Sequence, residues 1–209
     1  AEHFLNPGAG DFHDPRLLPD IDAATSRIIT ALENRERITV YGDYDTDGVT
    51  SAALLGRVLK RPSADPEAIS VRVPHLHLNG YGLSHDTVRQ LQAEENPAVI
   101  ITADCGISAL DGADCARELG IDLIITDHHE PGDTLPQAYA IVNPKRADSG
   151  YPFRDLAGVG VAYKLGEALS MARGVAPQVY AQHFLDLVTL GTVADNAPLL
   201  GENRALVRL

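Results

Sequence analysis

The sequence predicts an α/β fold: a largely parallel β-sheet with helices on both faces. Short, continuously apolar runs recur along the chain. Each is followed by a stretch with apolar residues at helical spacing, and three of the runs end on aspartate. Strands apolar along their whole length are buried on both sides, as crossover helices require. A length of 209 residues suits one such domain.

Taken in order, "DIDAATSRIITALENRE" (residues 20–36) reads as an amphipathic helix. With the residues before it, it forms a predicted N-terminal helical extension, 1–36. "RITVYG" (37–42) is a buried strand and "GVTSAALLGRVLK" (48–60) the helix that follows. "AISVRVP" (68–74) is a second strand, and "LSHDTVRQLQAEE" (83–95) a helix with Ser84 as its N-cap. "PAVIITAD" (97–104) is a third strand. "SALDGADCARELG" (108–120) is a helix closing on a glycine. "IDLIITD" (121–127) and the short "AYAIVNP" (138–144) complete five strands. Two further helices are expected over 160–174 and 177–195.

The formal net charge is −12, which argues against holding nucleic acid mainly through a basic surface. Clustered carboxylates neutralised by metal leave nucleic acid open as a partner. Cys105 and Cys115 lack the CxxC spacing, so a reduced, cytoplasmic setting is the simplest reading. No apolar run reaches membrane-spanning length, and the start lacks the pattern of a signal peptide. The first residue is not Met, which reads as processing or trimming.

In open parallel sheets, ligands sit beyond the carboxyl ends of the strands. Asp43, Asp45 and Asp47, then Asp104, then Asp127 fall at three such ends. One aspartate there is an ordinary turn former or N-cap; the set is expected to converge on one edge of the sheet. If 43–47 is extended, its alternate carboxylates share a face and repel, which a hard divalent cation would relieve. His128-His129 adds imidazole, which suits Mn²⁺. One ring can be a ligand while the other meets phosphate, with Asp127 orienting an imidazole. This set fits two-metal phosphoester hydrolysis, with roughly 3.5–4 Å between ions and Asp104 as the candidate bridge.

"YGDYDTDGVTSAALL", "ITADCGIS", "IITDHHE", "AIVNPKR", "LAGVGVAYKL" and "LGTVADNAPL" together resemble the successive motifs of the DHH phosphoesterase superfamily. The similarity runs from residue 11 onward and is nearest to its 5′→3′ single-strand-specific DNA exonuclease branch. The resemblance implies two divalent cations, Mn²⁺ preferred or Mg²⁺. It assigns Asp45 and Asp47 as ligands, Asp43 as a neighbour or further ligand, and Asp104 as a bridging ligand. It makes His128 a ligand, His129 the phosphate contact or general acid, and Asp195 a further ligand. Asp195 rests on the resemblance alone. The implied work is repair and recombination on single-stranded DNA, with a single-strand-binding protein and a helicase as candidate partners and a monomeric chain. Family members continue into a DHH-associated domain and an oligonucleotide-binding fold, which this sequence does not contain.

The chain departs from the pattern at two points. Tyr41 stands where pyrophosphatase and small-oligonucleotide branches carry histidine, which favours the exonuclease branch. Leu76 stands where a phosphate-contacting arginine is common, leaving Arg72, His75 or His77 for that contact. Lys164, beside a glycine-rich helix start, and Arg146 in "NPKR" are further substrate-binding candidates. Two other functions compete. "DTDGVT" (45–50) also resembles the nucleophile motif of haloacid-dehalogenase-type phosphatases, but that reading leaves His128-His129 idle and lacks a downstream acidic pair. A metal-free DHH-like scaffold is the non-enzymatic alternative; the full set of carboxylates argues against it.

Overall fold

Five strands form one all-parallel sheet in the computed structural model, which describes residues 5–61, 63–74 and 82–209. They are β1 (Ile38–Gly42), β2 (Ile69–Arg72), β3 (Val99–Ala103), β4 (Asp122–Thr126) and β5 (Ala140–Val142), in spatial order β2-β1-β3-β4-β5. The helices described are α1 (Ile21–Glu33), α2 (Thr46–Lys60), α3 (His85–Glu95), α4 (Leu110–Glu118), α5 (Gly158–Ala172), α6 (Pro177–Ala181), α7 (Leu185–Ala194) and α8 (Gly201–Arg208).

Each of β1 and β3 is buried along its whole length, so alternate side chains feed two separate cores. Ile38, Val40, Val99, Ile101, Ile124 and Val142 join α1, α2 and α5 in the larger one. Tyr41, Ile100, Leu123, Ile125 and Ile141 meet α3 and α4 in the smaller. The helix assigned to an N-terminal extension thus packs into the main core, with Ile21 and Ile28 fully buried.

The register aligns the strand ends. Gly42 lies opposite Ala103, Ala103 opposite Thr126, and Thr126 opposite Val142. The next residue of each strand, Asp43, Asp104, Asp127 and Asn143, therefore falls on one row. The first three continue the ladder: Asp43 N–H donates to Ala103 O, Asp104 N–H to Thr126 O, and Asp127 N–H to Val142 O. The chain order reverses between β1 and β3, which is the switch point where parallel sheets open a crevice.

Three expectations are corrected. Residues 43–47 are not extended: Asp43 ends the strand, Asp45 caps α2 by accepting the Gly48 N–H at 2.9 Å, and Asp47 lies in the first turn. A helix N-terminus stabilises negative charge, which an extended run of aspartates would not. The helix expected over 177–195 is two, α6 and α7. Between them Phe184 turns inward, 5% exposed, against Tyr180 and Arg57. Helix α8 follows where none was assigned.

Gly112 marks the tightest approach between α4 and the start of α3: a Cβ there would stand 2.1 Å from the Leu83 carbonyl oxygen. Gly112→Ala is expected to destabilise the protein by about 1–3 kcal/mol, as overpacking does. Urea unfolding checks this; an unchanged midpoint contradicts the packing described.

Candidate metal centre

The aligned row becomes a site because helices bring further acidic and imidazole groups to it. Asp104 sits in the left-handed region (φ 65), a conformation aspartate tolerates better than most residues. Its carboxylate is buried against the start of α5, where a Cβ on Gly158 would lie 2.2 Å from Asp104 Oδ1. His128, one residue past the row, places Nε2 3.2 Å from Asp104 Oδ1, 3.9 Å from Asp47 Oδ2 and 4.0 Å from Asp195 Oδ2. Asp195 is the C-cap residue of α7. Three overlapping groups have ligand atoms within 4.8 Å of one another: Asp104 with His128 and His129, Asp47 with His128 and Asp195, and Asp43 with Asp45 and Asp104. Asp104 and His128 are each shared by two groups.

Asp47 has a second task. Its two oxygens accept the N–H groups of Gly158 (2.7 Å) and Val159 (2.8 Å), the first residues of α5. No side chain from the preceding residue caps that helix, so Asp47 supplies the missing acceptor. These two N–H groups at the start of α5 are thereby already engaged.

Asp127 serves a different ring from Asp104. Its Oδ1 lies 2.7 Å from His129 Nδ1 and accepts the N–H of His128 and His129, while Oδ2 accepts the N–H of Ile107. Asn143, buried at the same row, donates from Nδ2 to the His129 carbonyl at 2.9 Å and accepts the Lys145 N–H. Asp127 and Asn143 thus brace the two-histidine turn. Sequence reasoning missed Asn143; the signal available was a polar residue directly after an apolar run, at the place where the other strands carry aspartate.

These contacts divide the charges. Burial pushes Asp104 up to about 7, reinforced by Asp47 against the opposing pull of His128. Burial likewise pushes Asp47 up to about 6 despite the α5 N–H groups. Asp43 is also raised, by burial first and by Asp45 and Asp127 beyond that. Burial acts to raise Asp127 too, but the His129 ring and the backbone donors outweigh it and hold that carboxyl below its usual range. The Asp127 bond pushes His129 up to about 9. For His128 burial opposes the charge, yet Asp104 and Asp47 carry it above the ordinary histidine value.

Asp104 Oδ1 and His128 Nε2 are both buried and neither has a hydrogen-bond partner. Buried polar atoms are almost always satisfied. Two such atoms facing one another among carboxylates fit a hard divalent cation, for which oxygen with one imidazole is a suitable donor set.

Four residues named from the sequence do not join this centre as expected. Lys164 is corrected: its ammonium is fully buried, held by Glu167 (2.9 Å), Glu202 (2.8 Å) and the His13 carbonyl (2.8 Å), with no open side for a phosphate. Arg146 is engaged by Asp20, Asp148 and the Ile141 carbonyl, which leaves its guanidinium little to offer a substrate. Arg72, half exposed at the end of β2, pairs with Glu94 and Glu95. His75, with His77, lies outside the described residues. Tyr41 belongs to the smaller core, its hydroxyl donating to the Gly82 carbonyl and burial pushing it up to about 12. Cys105 and Cys115 are both free thiols and buried.

The parallel sheet thus gathers aspartates and histidines at its switch point, a donor set suited to hard divalent cations. The family model "DHH family, N-terminal domain" matches residues 37–192, and the chain belongs to that family. It is 43% identical to the single-stranded-DNA-specific exonuclease RecJ of Bacillus subtilis, over its whole length and a quarter of that protein's. It is 44% identical to the Escherichia coli RecJ, over 90% of this chain and 34% of that one. A solved structure of exonuclease RecJ bound to manganese superposes with a TM-score of 0.78 at 36% identity, covering 91% of this chain and 46% of that one. RecJ of Thermus thermophilus in complex with Mn²⁺ gives 0.73 at 33% identity, covering 90% of this chain and 26% of that one. The chain therefore spans about a quarter to a third of the curated relatives' length.

The raised carboxylates set a pH dependence. A folded pKa above the unfolded value means the folded state holds the extra proton, so stability falls as pH rises between the two. For Asp104 that window runs from about 4 to about 7; the His129 pair adds a loss from about 6.5 to about 9. The metal-free protein is expected to lose urea resistance steadily from pH 5 to pH 9. Asp104→Asn is expected to remove the lower part of that loss and to be more stable than wild type at pH 8 by about 1–3 kcal/mol. Equal pH profiles for the two proteins would contradict this.

Proposed function

We propose that the chain is the catalytic domain of a two-metal phosphodiesterase that hydrolyses single-stranded DNA from the 5′ end, in DNA repair and recombination. One observation carries the reading: Asp104 Oδ1 and His128 Nε2, buried and unsatisfied, face each other within a ring of carboxylates. The kinship with RecJ exonucleases, two of them solved with manganese and one with Mg²⁺, supports the substrate and the ions.

Asp47, Asp195 and His128 would hold one cation, Asp43 and Asp45 the other, with Asp104 shared between them. When bound, such a pair lowers the pKa of water and neutralises charge on the phosphoryl oxygens. The protein's part lies in position and proton control. Asp127 fixes the His129 ring through Nδ1 and keeps it cationic at neutral pH, while the ring stays half exposed toward solvent. His129 can therefore donate a hydrogen bond to a phosphate oxygen, or a proton to the departing 3′ oxygen, within hydrogen-bond reach of a docked strand. The reading takes the chain to act as a monomer. A single-stranded substrate is met in the company of a single-strand-binding protein and a helicase, in the cytoplasm.

The haloacid-dehalogenase alternative places its nucleophile at the strand end. Here that residue is Asp43, while Asp45 caps α2 and Asp47 is bound to α5. The motif's first aspartate, Asp45, therefore lies two residues past Asp43, at the N-cap of α2, and not where that chemistry needs its nucleophile.

On 5′-labelled single-stranded DNA with Mn²⁺, wild type is expected to release mononucleotides and to be inert in EDTA. Asp104→Ala is expected to lose at least about 10³-fold, and His129→Asn about 10²–10⁴-fold, the range of a general acid. Asp127→Asn, one step removed, is expected to lose about 10–100-fold. Full activity of Asp104→Ala sinks the assignment; hydrolysis of duplex and single strand at equal rates sinks the substrate.

A further inference from the structure

A polyanionic strand entering this crevice meets mostly carboxylates, so the cations at its edge decide how the strand is seated. Arg72, Arg146 and Lys164 each hold two carboxylates and have little left for phosphate. Lys145 is held differently. It follows β5 in the turn Asn143-Pro144-Lys145-Arg146. Asn143 Oδ1 accepts the Lys145 N–H at 2.7 Å, and Arg154 donates from Nη2 to the Lys145 carbonyl at 2.7 Å. Asn143 also holds the His129 carbonyl. One asparagine therefore sets the Lys145 turn and the two-histidine turn relative to each other. The segment that carries Lys145 leaves the sheet at the end of β5 and returns at Gly158, against Asp104, so both its ends stand on the crevice.

The Lys145 ammonium lies 3.5 Å from Glu130 Oε1, longer than a charge-assisted hydrogen bond. That carboxylate is 74% exposed and belongs to the residue directly after His129. A solvated pair of this length adds little to stability and yields readily to another anion. Glu130 and His129 together line a hollow of about 410 Å³, closed on its other sides by residues 82–84, 105–109 and Asp111. None of the residues lining it is Lys or Arg. A cation for a phosphate beside His129 must therefore reach in from outside, and Lys145 stands at the Glu130 edge.

We infer that Lys145 contacts the substrate: its ammonium takes a phosphodiester oxygen of the strand next to the phosphate that His129 serves, and Glu130 is the carboxylate which that phosphate displaces. The inference rests on the phosphodiesterase reading above and adds a residue to its substrate path. The competing role for Lys145 is a brace that only steadies Glu130. The geometry favours contact. Asn143 and Arg154 fix the Lys145 backbone without help from the ion pair, and Glu130 stands mostly in water. A phosphate oxygen in place of Glu130 leaves no buried charge unpaired, since the released carboxylate is already solvated.

The test has two arms, each run over a salt series: hydrolysis of a short single strand with Mn²⁺, and polarisation of labelled oligo-dT with Ca²⁺ in place of Mn²⁺. Lys145→Ala is expected to raise KM and Kd about tenfold with kcat within about threefold, as loss of a contact made equally in ground and transition states does. The slope of log affinity against log salt is expected to fall by about 0.7, the loss of one phosphate contact on a single strand. Lys145→Arg is expected to keep the wild-type slope. Glu130→Gln is expected to act in the opposite sense and tighten binding about two- to fivefold. A brace would make Lys145→Ala and Glu130→Gln change binding in the same direction. Unchanged melting temperatures verify the fold of each variant. The inference is overturned if Lys145→Ala leaves Kd and the salt slope as they are, if Glu130→Gln weakens binding as Lys145→Ala does, or if wild type does not bind oligo-dT. A wild type that binds oligo-dT without cutting the strand sinks the phosphodiesterase reading instead, and the binding arm still decides the role of Lys145.

Discussion

The clasp between the Asp47 carboxylate and the first N–H groups of α5 is the contact on which the rest of the site depends. It joins two helices on one face of the sheet through a group that also faces His128. Because both oxygens are bound, Asp47 is held rigid without any partner from its own helix. Because the donors are a helix N-terminus, part of its charge is balanced before a cation arrives. The same contact places Gly158 against Asp104, so the start of α5 touches two carboxylates at once. Gly191 closes the arrangement from α7: a Cβ there would lie 2.7 Å from Asp47 Oδ1. That close approach carries α7, and Asp195 at its end, to the edge of the site.

Carboxylates buried side by side are tolerable because each has a different remedy. Asp45 is capped by its own helix and Asp127 by three backbone donors and a cationic ring. Asp104 has no such remedy: its Oδ1 faces only an imidazole nitrogen that is itself unsatisfied. Local conflict of this kind, in a chain otherwise consistent between pattern and fold, is where function is expected to concentrate. The Lys164–Glu167–Glu202 cluster makes the contrast clear. It is as deeply buried, yet its charges answer one another, and it ties α5 to α8 and to the backbone at His13.

The sheet was legible because four of its five strands, β1, β3, β4 and β5, are largely apolar and each is followed by an acid or amide. The row of Asp43, Asp104 and Asp127 followed from that pattern together with the rule for parallel sheets. What was not legible depended on direction and on distant partners. An Asp-x-Asp-x-Asp run has one spacing whether extended or wound into a helix start, and the cap on Gly48 decides between them. Asp195 ends an apolar helix like many surface residues, and only the family resemblance singled it out. Lys164 looked available for phosphate because nothing in its own helix reveals that Glu202, on α8, fills the space around it. Helix 177–195 is two helices because Phe184 leaves helical geometry (φ −138) where it packs against Tyr180, a tertiary contact that the helical spacing does not reveal.

The central claim is that Asp104 is shared between two cations in this crevice. Anomalous scattering from crystals grown with Mn²⁺ tests it directly. The account predicts two manganese peaks with the Asp104 carboxylate touching both, one also meeting Asp47, His128 and Asp195 and the other Asp43 and Asp45. A single peak, or two peaks with Asp104 bound to neither, would contradict it.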